Sequence, residues 1–390
     1  MAVLFLIVFV DLVGFGLLIP LLPFYVQRVG ASPDLVTIVL GLYSAAQFVS
    51  GPIWGRMSDR FGRKPILVIT SAGLALSYVM LGFTDSLTTL VIARLFGGVM
   101  GGNIGTAQAY ISDITTPATR AKGMGMIGAA FGLGFIFGPA IGGLLGGTDV
   151  ETATFFLPAI TAAGVTSLAT LGGIVFLKES LTPELRAAAI AARMPLAKQL
   201  RASFSRVALL ALMLAGLLAI TGWAMMEAIF SLWANARFDY GPREIGLLLA
   251  FVGIIGVLIQ GAAIGAFTRK FGERRLMIAG LALMVAGFAA LAFAATLPSL
   301  MIALGVLAIA SGLFNPSISS LISQEAEPHE RGAVLSTYQS TTALSRAIGP
   351  MASGTLFISF GEGASYLVAA ALAALAMVAV LAIRSSHRGA

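Results

Sequence analysis

Long apolar runs separated by short polar breaks set the pattern of this chain. A helix needs about 20 apolar residues to cross the hydrocarbon of a bilayer. Runs of that length fall near 2–25, 35–57, 66–84, 87–112, 122–147 and 153–177, and again near 206–232, 243–267, 276–296, 298–322, 331–357 and 363–383. The pattern predicts an all-α membrane protein with twelve transmembrane helices. If the breaks alternate sides, their charges sort with them. One side holds nineteen Lys and Arg and the other three, Arg28, Arg237 and Arg243, while Arg94 and Arg346 fall inside spans. Lys and Arg are retained on the cytoplasmic side during insertion, so both termini are expected there.

The most charged short break is GPIWGRMSDRFGRKP, Gly51 to Pro65, and a weaker copy follows as GAAIGAFTRKFGERR, Gly261 to Arg275. Gly55 and Gly265, Phe61 and Phe271, and Gly62 and Gly272 all stand 210 positions apart. Pro117 and Arg120 match Pro328 and Arg331 at a spacing of 211, as Gly138-Pro139 matches Gly349-Pro350. The repeat predicts two pseudo-symmetric six-helix bundles, residues 1–177 and 206–390. Between them lies a charged, alanine-rich linker at 178–205, where a short amphipathic helix on the inner membrane surface is expected. Duplicated bundles meeting at a central interface are how many secondary transporters build a site near the midplane.

Composition narrows the function. The chain is 58% hydrophobic and 11% charged, against roughly 25% charged residues in soluble domains. The net charge of +7 sits in short turns between apolar runs, so no nucleic-acid partner is expected. There is no cysteine, and the two histidines, His329 and His387, lie near predicted helix ends. No metal, no other cofactor and no nucleophile–base pair is therefore expected, which argues against an enzyme. The first run lacks a basic leader and carries Asp11, Gly14, Gly16, Pro20 and Pro23, unlike a cleaved signal peptide.

Four charges lie inside spans. A carboxylate there costs about 3 kcal/mol on insertion scales, so it faces a partner or a wet cavity. Asp11 is the first, and Arg94 in the fourth span is its candidate partner; a static pair joining two helices is the plainer reading. Glu227, in the Trp223–Glu227 segment of the seventh span with Met226, and Arg346 in the eleventh have no counterpart in the opposite repeat. They either pair, or Glu227 takes protons and cationic substrates while Arg346 draws anionic or zwitterionic ones. Neutral polar residues at span depth are Gln47, Asn103, Gln108, Gln260, Asn315 and Gln339, with Tyr43 and Tyr110. In a cavity they bind substrate; elsewhere they join helices.

Over nearly its full length the chain resembles a major facilitator superfamily transporter. The stretch GRMSDRFGRK, Gly55 to Lys64, is similar to that family's signature between helices 2 and 3. The resemblance implies a cytoplasmic gate built from Gly55, Arg56, Asp59, Arg60, Gly62, Arg63 and Lys64, with Asp59 latching onto the start of helix 11. A helix N-terminus favours such an anion by about 0.3–1 kcal/mol. Arg269 replaces Asp59 in the copy, so the gate is expected to be one-sided. The fifth span carries Gly125, Gly134, Gly138-Pro139 and Gly142-Gly143, which resembles the motif of the antiporter branch at every position. Gly134, Gly138 and Gly142 recur every fourth residue, a smooth face for a close neighbour.

Within the family the chain looks most like tetracycline exporters and related drug:proton antiporters, through VDLVGFGLLIPLLP (Val10 to Pro23), GRMSDRFGRKP (Gly55 to Pro65) and GLGFIFGPAIGG (Gly132 to Gly143). Those exporters carry a histidine in helix 8, and 243–267 holds none, so proton coupling is expected to rest on carboxylates such as Asp11 and Glu227. The resemblance implies a monomeric, proton-driven exporter of drugs or other small lipophilic compounds in a bacterial inner membrane. A metabolite, sugar or lipid transporter is the alternative within the fold, and a non-transporting membrane sensor or scaffold lies outside it.

Overall fold

The computed structural model describes residues 2–28, 32–147, 154–182, 186, 206–327 and 330–382. The expected amphipathic helix of the 178–205 linker, and both histidines, lie outside these residues. Apolar runs in a medium without water must close every backbone hydrogen bond within the segment, and the chain does so by coiling into helices. Twelve helical spans result among the described residues. They are α1 (Ala2–Leu18, resuming as Leu22–Arg28), α2 (Pro33–Phe61), α3 (Arg63–Gly82), α4 (Leu87–Ile114), α5 (Pro117–Leu145), α6 (Phe156–Phe176), α7 (Val207–Phe238), α8 (Pro242–Phe271), α9 (Glu273–Ala292), α10 (Leu297–Glu325), α11 (Arg331–Phe360) and α12 (Ala364–Ala382). Ten are long and apolar enough to cross a membrane by composition alone. The other two, α1 and α11, depart for separate reasons. α1 is divided at Ile19–Leu21 because Pro20 has no N–H to give, and the Gly16 carbonyl is taken by Ile19 N–H at 3.2 Å instead. α11 is rich in Ser and Thr and carries Arg346.

The chain folds as two six-helix bundles, and their equivalence is visible in backbone detail. The break around Gly51 to Pro65 is almost wholly helical: only Gly62 separates α2 from α3, and only Gly272 separates α8 from α9. Both turn with positive φ, 109° and 77°, a conformation that glycine adopts without strain. Each donates its N–H to the residue four back, Ser58 or Thr268. Ser86 and Thr89 form a capping box at the start of α4, and Thr296 and Ser299 form the same box on α10.

Within the first bundle α1 packs on α5 and α6, α2 on α4, and α3 on α4 and α6; within the second, α7 packs on α11 and α12, α9 on α10 and α12, and α8 on α10. The bundles meet along α2–α11 and α5–α8. Between helices in lipid there is little hydrophobic driving force, so small residues that permit close backbone approach make these contacts. A Cβ added at Gly138 would lie 2.8 Å from the Gly16 Cα on α1, and one at Gly134 would lie 2.6 Å from the Leu12 Cβ. Gly142 abuts the Leu17 backbone, while Gly143 turns to α8, 3.0 Å from the Gly246 Cα. Gly349 repeats the arrangement in the second bundle, its added Cβ 2.8 Å from the Thr221 carbonyl of α7.

The α5–α8 contact runs along only part of the helices. Gly143 meets Gly246, Ile136 meets Gly253, and Gly132 meets Val257. Continuing toward the turns at Gly62 and Gly272, Gly128 and Gly125 on α5 and Gly261 and Gly265 on α8 have nothing within 4 Å of an added Cβ. On α2, Gly41 meets Met351 and Ala347, while Gly55 meets nothing. The bundles are thus sealed at the face opposite the basic turns and splayed on the basic face. Gly125, although it fits the motif of the fifth span, lies on this open stretch.

Candidate functional site

A cavity of about 210 Å³ lies between the bundles, roughly midway along the helices. The first bundle lines it with Asp11 and Phe15 of α1, Tyr43 and Gln47 of α2, Asn103 of α4 and Phe135 of α5. The second contributes Ala219, Ile220, Trp223 and Glu227 at helical spacing on α7, Asn315 of α10 and Arg346 of α11. Of the residues singled out for the cavity, Gln47, Asn103, Trp223, Glu227, Asn315 and Arg346 converge here.

Asp11 is held by an interruption in α4. Residues Gly101–Asn103 form a single 3₁₀ turn, and Gln47 Nε2 donates to the Gly101 carbonyl at 2.8 Å. The turn aims Asn103 at Asp11: one amide hydrogen goes to Asp11 Oδ2 at 3.1 Å and the other to Thr70 Oγ1 at 3.1 Å. Ser71 Oγ donates to Asp11 Oδ1 at 3.5 Å and receives from Thr170 Oγ1 at 3.0 Å. α3, α4 and α6 therefore all bear on one carboxylate of α1. Ser71, Thr70 and Thr170 were not expected from sequence, because a buried hydroxyl in a span reads the same whether it bonds its own helix or a neighbour.

Several expectations are corrected. Asp11 and Arg94 do not form an ion pair. Arg94 is 2% exposed and its guanidinium lies over the Tyr43 ring at 4.6 Å, with Phe15 at 6.0 Å. Glu227 and Arg346 share the cavity wall without coming within 4.0 Å as a salt bridge. Met226 points away from Glu227 into the helix core, at 2% exposure, because one residue turns a helix by about 100°. Gln108, Gln260 and Gln339 do not line the cavity and lie nearer the basic face, where the bundles stand apart. Gln260 falls in a π-helical segment, Ile259–Ala263, just past Val257, which meets Gly132 of α5.

At the basic face Arg63 is the hub. It is 5% exposed, with Nη1 donating to Asp59 Oδ1 at 2.5 Å and to Ser58 Oγ at 2.6 Å, and Nε donating to Asp113 Oδ2 at 3.2 Å. Glu179, just past α6, accepts from the Arg63 and Lys64 backbone N–H groups at 2.9 and 3.2 Å, where a carboxylate meets the positive end of α3. Asp59 is thus bonded within its own bundle. Arg56 and Arg60 are exposed beside it. The partners Asp113 and Glu179 were missed because they are ordinary acidic residues at helix ends in sequence. In the second bundle Arg206 pairs with Glu327 and Glu330 across the start of α11.

Twelve helices among the described residues, ten of them long and apolar enough to cross a membrane, form two equivalent bundles around a charged central cavity, the architecture of a membrane transporter. The sequence matches the model of the Major Facilitator Superfamily over residues 4–264 and 212–389. It is 30% identical to the class C tetracycline resistance protein of Escherichia coli, over 93% of this chain and 91% of that one. It is likewise 30% identical to multidrug resistance protein 2 of Bacillus subtilis, over 90% and 86%. Among solved structures it superimposes on the human organic anion transporter MFSD10 (TETRAN) with a TM-score of 0.75 and 25% identity, over 97% and 98% of the two chains. A D-xylose–proton symporter shares the fold, at a TM-score of 0.78 and 18% identity over 98% and 97%. The chain belongs to the major facilitator superfamily. It is an integral membrane protein that carries small molecules, and its relatives are transporters, not enzymes.

Proposed function

We propose that this protein is a proton-coupled antiporter that exports drugs or other small lipophilic compounds by alternating access. The observation that carries the reading is Asp11: a carboxylate at mid-span, facing the cavity, held by Asn103 and Ser71 and, among the described residues, paired with no cation in a salt bridge. A bare charge at that depth is costly, and a proton arriving from outside removes the cost. Glu227 is the second carboxylate on the same cavity and the candidate contact for a cationic substrate, with Trp223 beside it to receive the cation on its ring. Arg346 adds a site for a negative group. The tetracycline and multidrug resistance relatives support export as the direction, as does the antiporter-type glycine motif of α5 packed against α1 and α8.

In this reading the basic face is cytoplasmic, with both termini there, in the inner membrane of a bacterium, and the protein acts as a monomer. Residues 1–177 and 206–390 rock as units about the α2–α11 and α5–α8 contacts, joined by 178–205. The splayed basic face is the inward-open state, with Asp59 paired to Arg63 of its own bundle beside it. Everted membrane vesicles test the proposal. They are expected to accumulate substrate when acidified inside, and accumulation that persists at full rate after an uncoupler would overturn proton coupling.

A further inference from the structure

Arg94 presents an unusual problem for a span: a cation 2% exposed, outside every salt bridge among the described residues, with its Nε lacking a hydrogen-bond partner. What it has is aromatic. The guanidinium lies 4.6 Å from the Tyr43 ring centroid, and Tyr43 in turn lies 5.1 Å from the Phe15 ring. A cation over an aromatic face is attracted by the ring quadrupole, most strongly where water is absent.

Tyr43 fits its place closely. It is 6% exposed and lies along the small-residue face of α4, where Cβ atoms added at Gly97 and Gly101 would stand 3.5 Å from its Cε2 and 3.2 Å from its Cζ. Arg94, Gly97 and Gly101 share that face at helical spacing. Tyr43 lines the cavity, as do Asp11 and Phe15, whereas Arg94, over the Tyr43 ring, does not. The titratable and charged side chains around Asp11 are Tyr78 of α3, which donates to the Asp11 carbonyl at 3.3 Å, Tyr43 of α2, Arg94 of α4, and across the cavity Glu227 of α7 and Arg346 of α11. At this level α5 and α6 present Gly134, Phe135 and Thr170.

We infer that Tyr43 is a positioning residue, an aromatic partition that holds the Arg94 guanidinium away from Asp11 and so leaves that carboxylate free to exchange its proton. Without the ring, the guanidinium loses its aromatic partner in a low-dielectric site and is drawn to the carboxylate that Tyr43 borders, an ion pair that favours the charged form of Asp11. The inference rests on the assignment of Asp11 as the proton site. Its test reads Asp11 directly and needs no substrate.

A carbodiimide adds to protonated carboxyl groups in apolar surroundings. Purified protein is treated with dicyclohexylcarbodiimide across pH, and mass spectrometry of the Asp11 peptide gives the labelling midpoint. For Tyr43→Leu the midpoint is expected to move to lower pH by about one unit or more. It is expected to stay with wild type for Tyr43→Phe, which keeps the ring, and to return to wild type for the double variant Tyr43→Leu, Arg94→Gln. Tyr43→Met serves if the leucine variant does not fold. A ring-deleted variant that labels like wild type overturns the partition while leaving the proton assignment standing. Wild-type labelling that does not vary with pH overturns both.

Discussion

The seal at the face opposite the basic turns can be weakened by a single methyl group. Gly143→Ala places a Cβ 3.0 Å from the Gly246 Cα and 3.3 Å from the Arg243 Cα, against backbone atoms of α8 that cannot rotate away. Overpacking of this kind costs about 1–3 kcal/mol. The cost falls only on the conformation in which α5 and α8 touch there, so it shifts the balance between the two access states by roughly 5- to 150-fold. The chain contains no cysteine, which suits paired spin labels. Labels on Gly128→Cys and Gly261→Cys sit on the splayed stretch, where neither position has a neighbour within 4 Å. Pulsed dipolar spectroscopy is expected to show one longer distance in the parent and a new shorter population in Gly143→Ala, as the seal opens and the basic face closes. Gly164→Ala, which meets nothing on α6, serves as the control and should leave the distribution unchanged. An unchanged distribution in Gly143→Ala would refute the assignment of this contact as the seal.

Three further outcomes follow from single sites. Arg63→Ala removes the guanidinium that Asp59 and Asp113 share at the basic face; breaking a buried pair costs about 3–5 kcal/mol, so thermal unfolding in detergent should fall sharply, with only partial recovery in Arg63→Lys because the planar fork is lost. Gly62→Ala combines a φ of 109° with a Cβ 2.9 Å from the Glu179 Cδ, whereas Gly272→Ala at 77° meets nothing; the first should lose more than the strain of about 1–3 kcal/mol expected of the second, and equal losses would contradict the packing argument. Glu227→Gln should raise KM for cationic substrates by roughly tenfold or more, the worth of a charged hydrogen bond, and leave neutral substrates nearly unaffected in a transport panel.

Much of this architecture was legible in the sequence because it depends on length and repetition. Twelve spans follow from runs long enough to cross a bilayer, and the copied turns at Gly62 and Gly272 carry the same positive φ in both halves. The glycine face of α5 was legible too, but not its second neighbour: Gly246 and Gly253 on α8 look like ordinary small residues until the fold sets them against Gly143 and Ile136. The site was half legible. Charged and amide residues at span depth stand out, and six of them reach the cavity. Their pairing does not follow from depth, because that depends on helix rotation and on local breaks. The 3₁₀ turn at Gly101–Asn103 gives Asp11 an amide partner in place of an arginine, and Tyr43 takes the arginine. Arg63 likewise finds Asp113 and Glu179, each from a helix end far along the chain.

Asp11→Asn in reconstituted vesicles tests the central claim most directly, because it keeps the side-chain volume and removes only the ionisable group. Two fluxes are measured on the same preparation: substrate accumulation driven by an imposed pH gradient, and exchange of labelled for unlabelled substrate with no gradient. Proton antiport through Asp11 predicts that accumulation disappears while exchange persists. Gradient-driven accumulation at the parent rate in Asp11→Asn would contradict it.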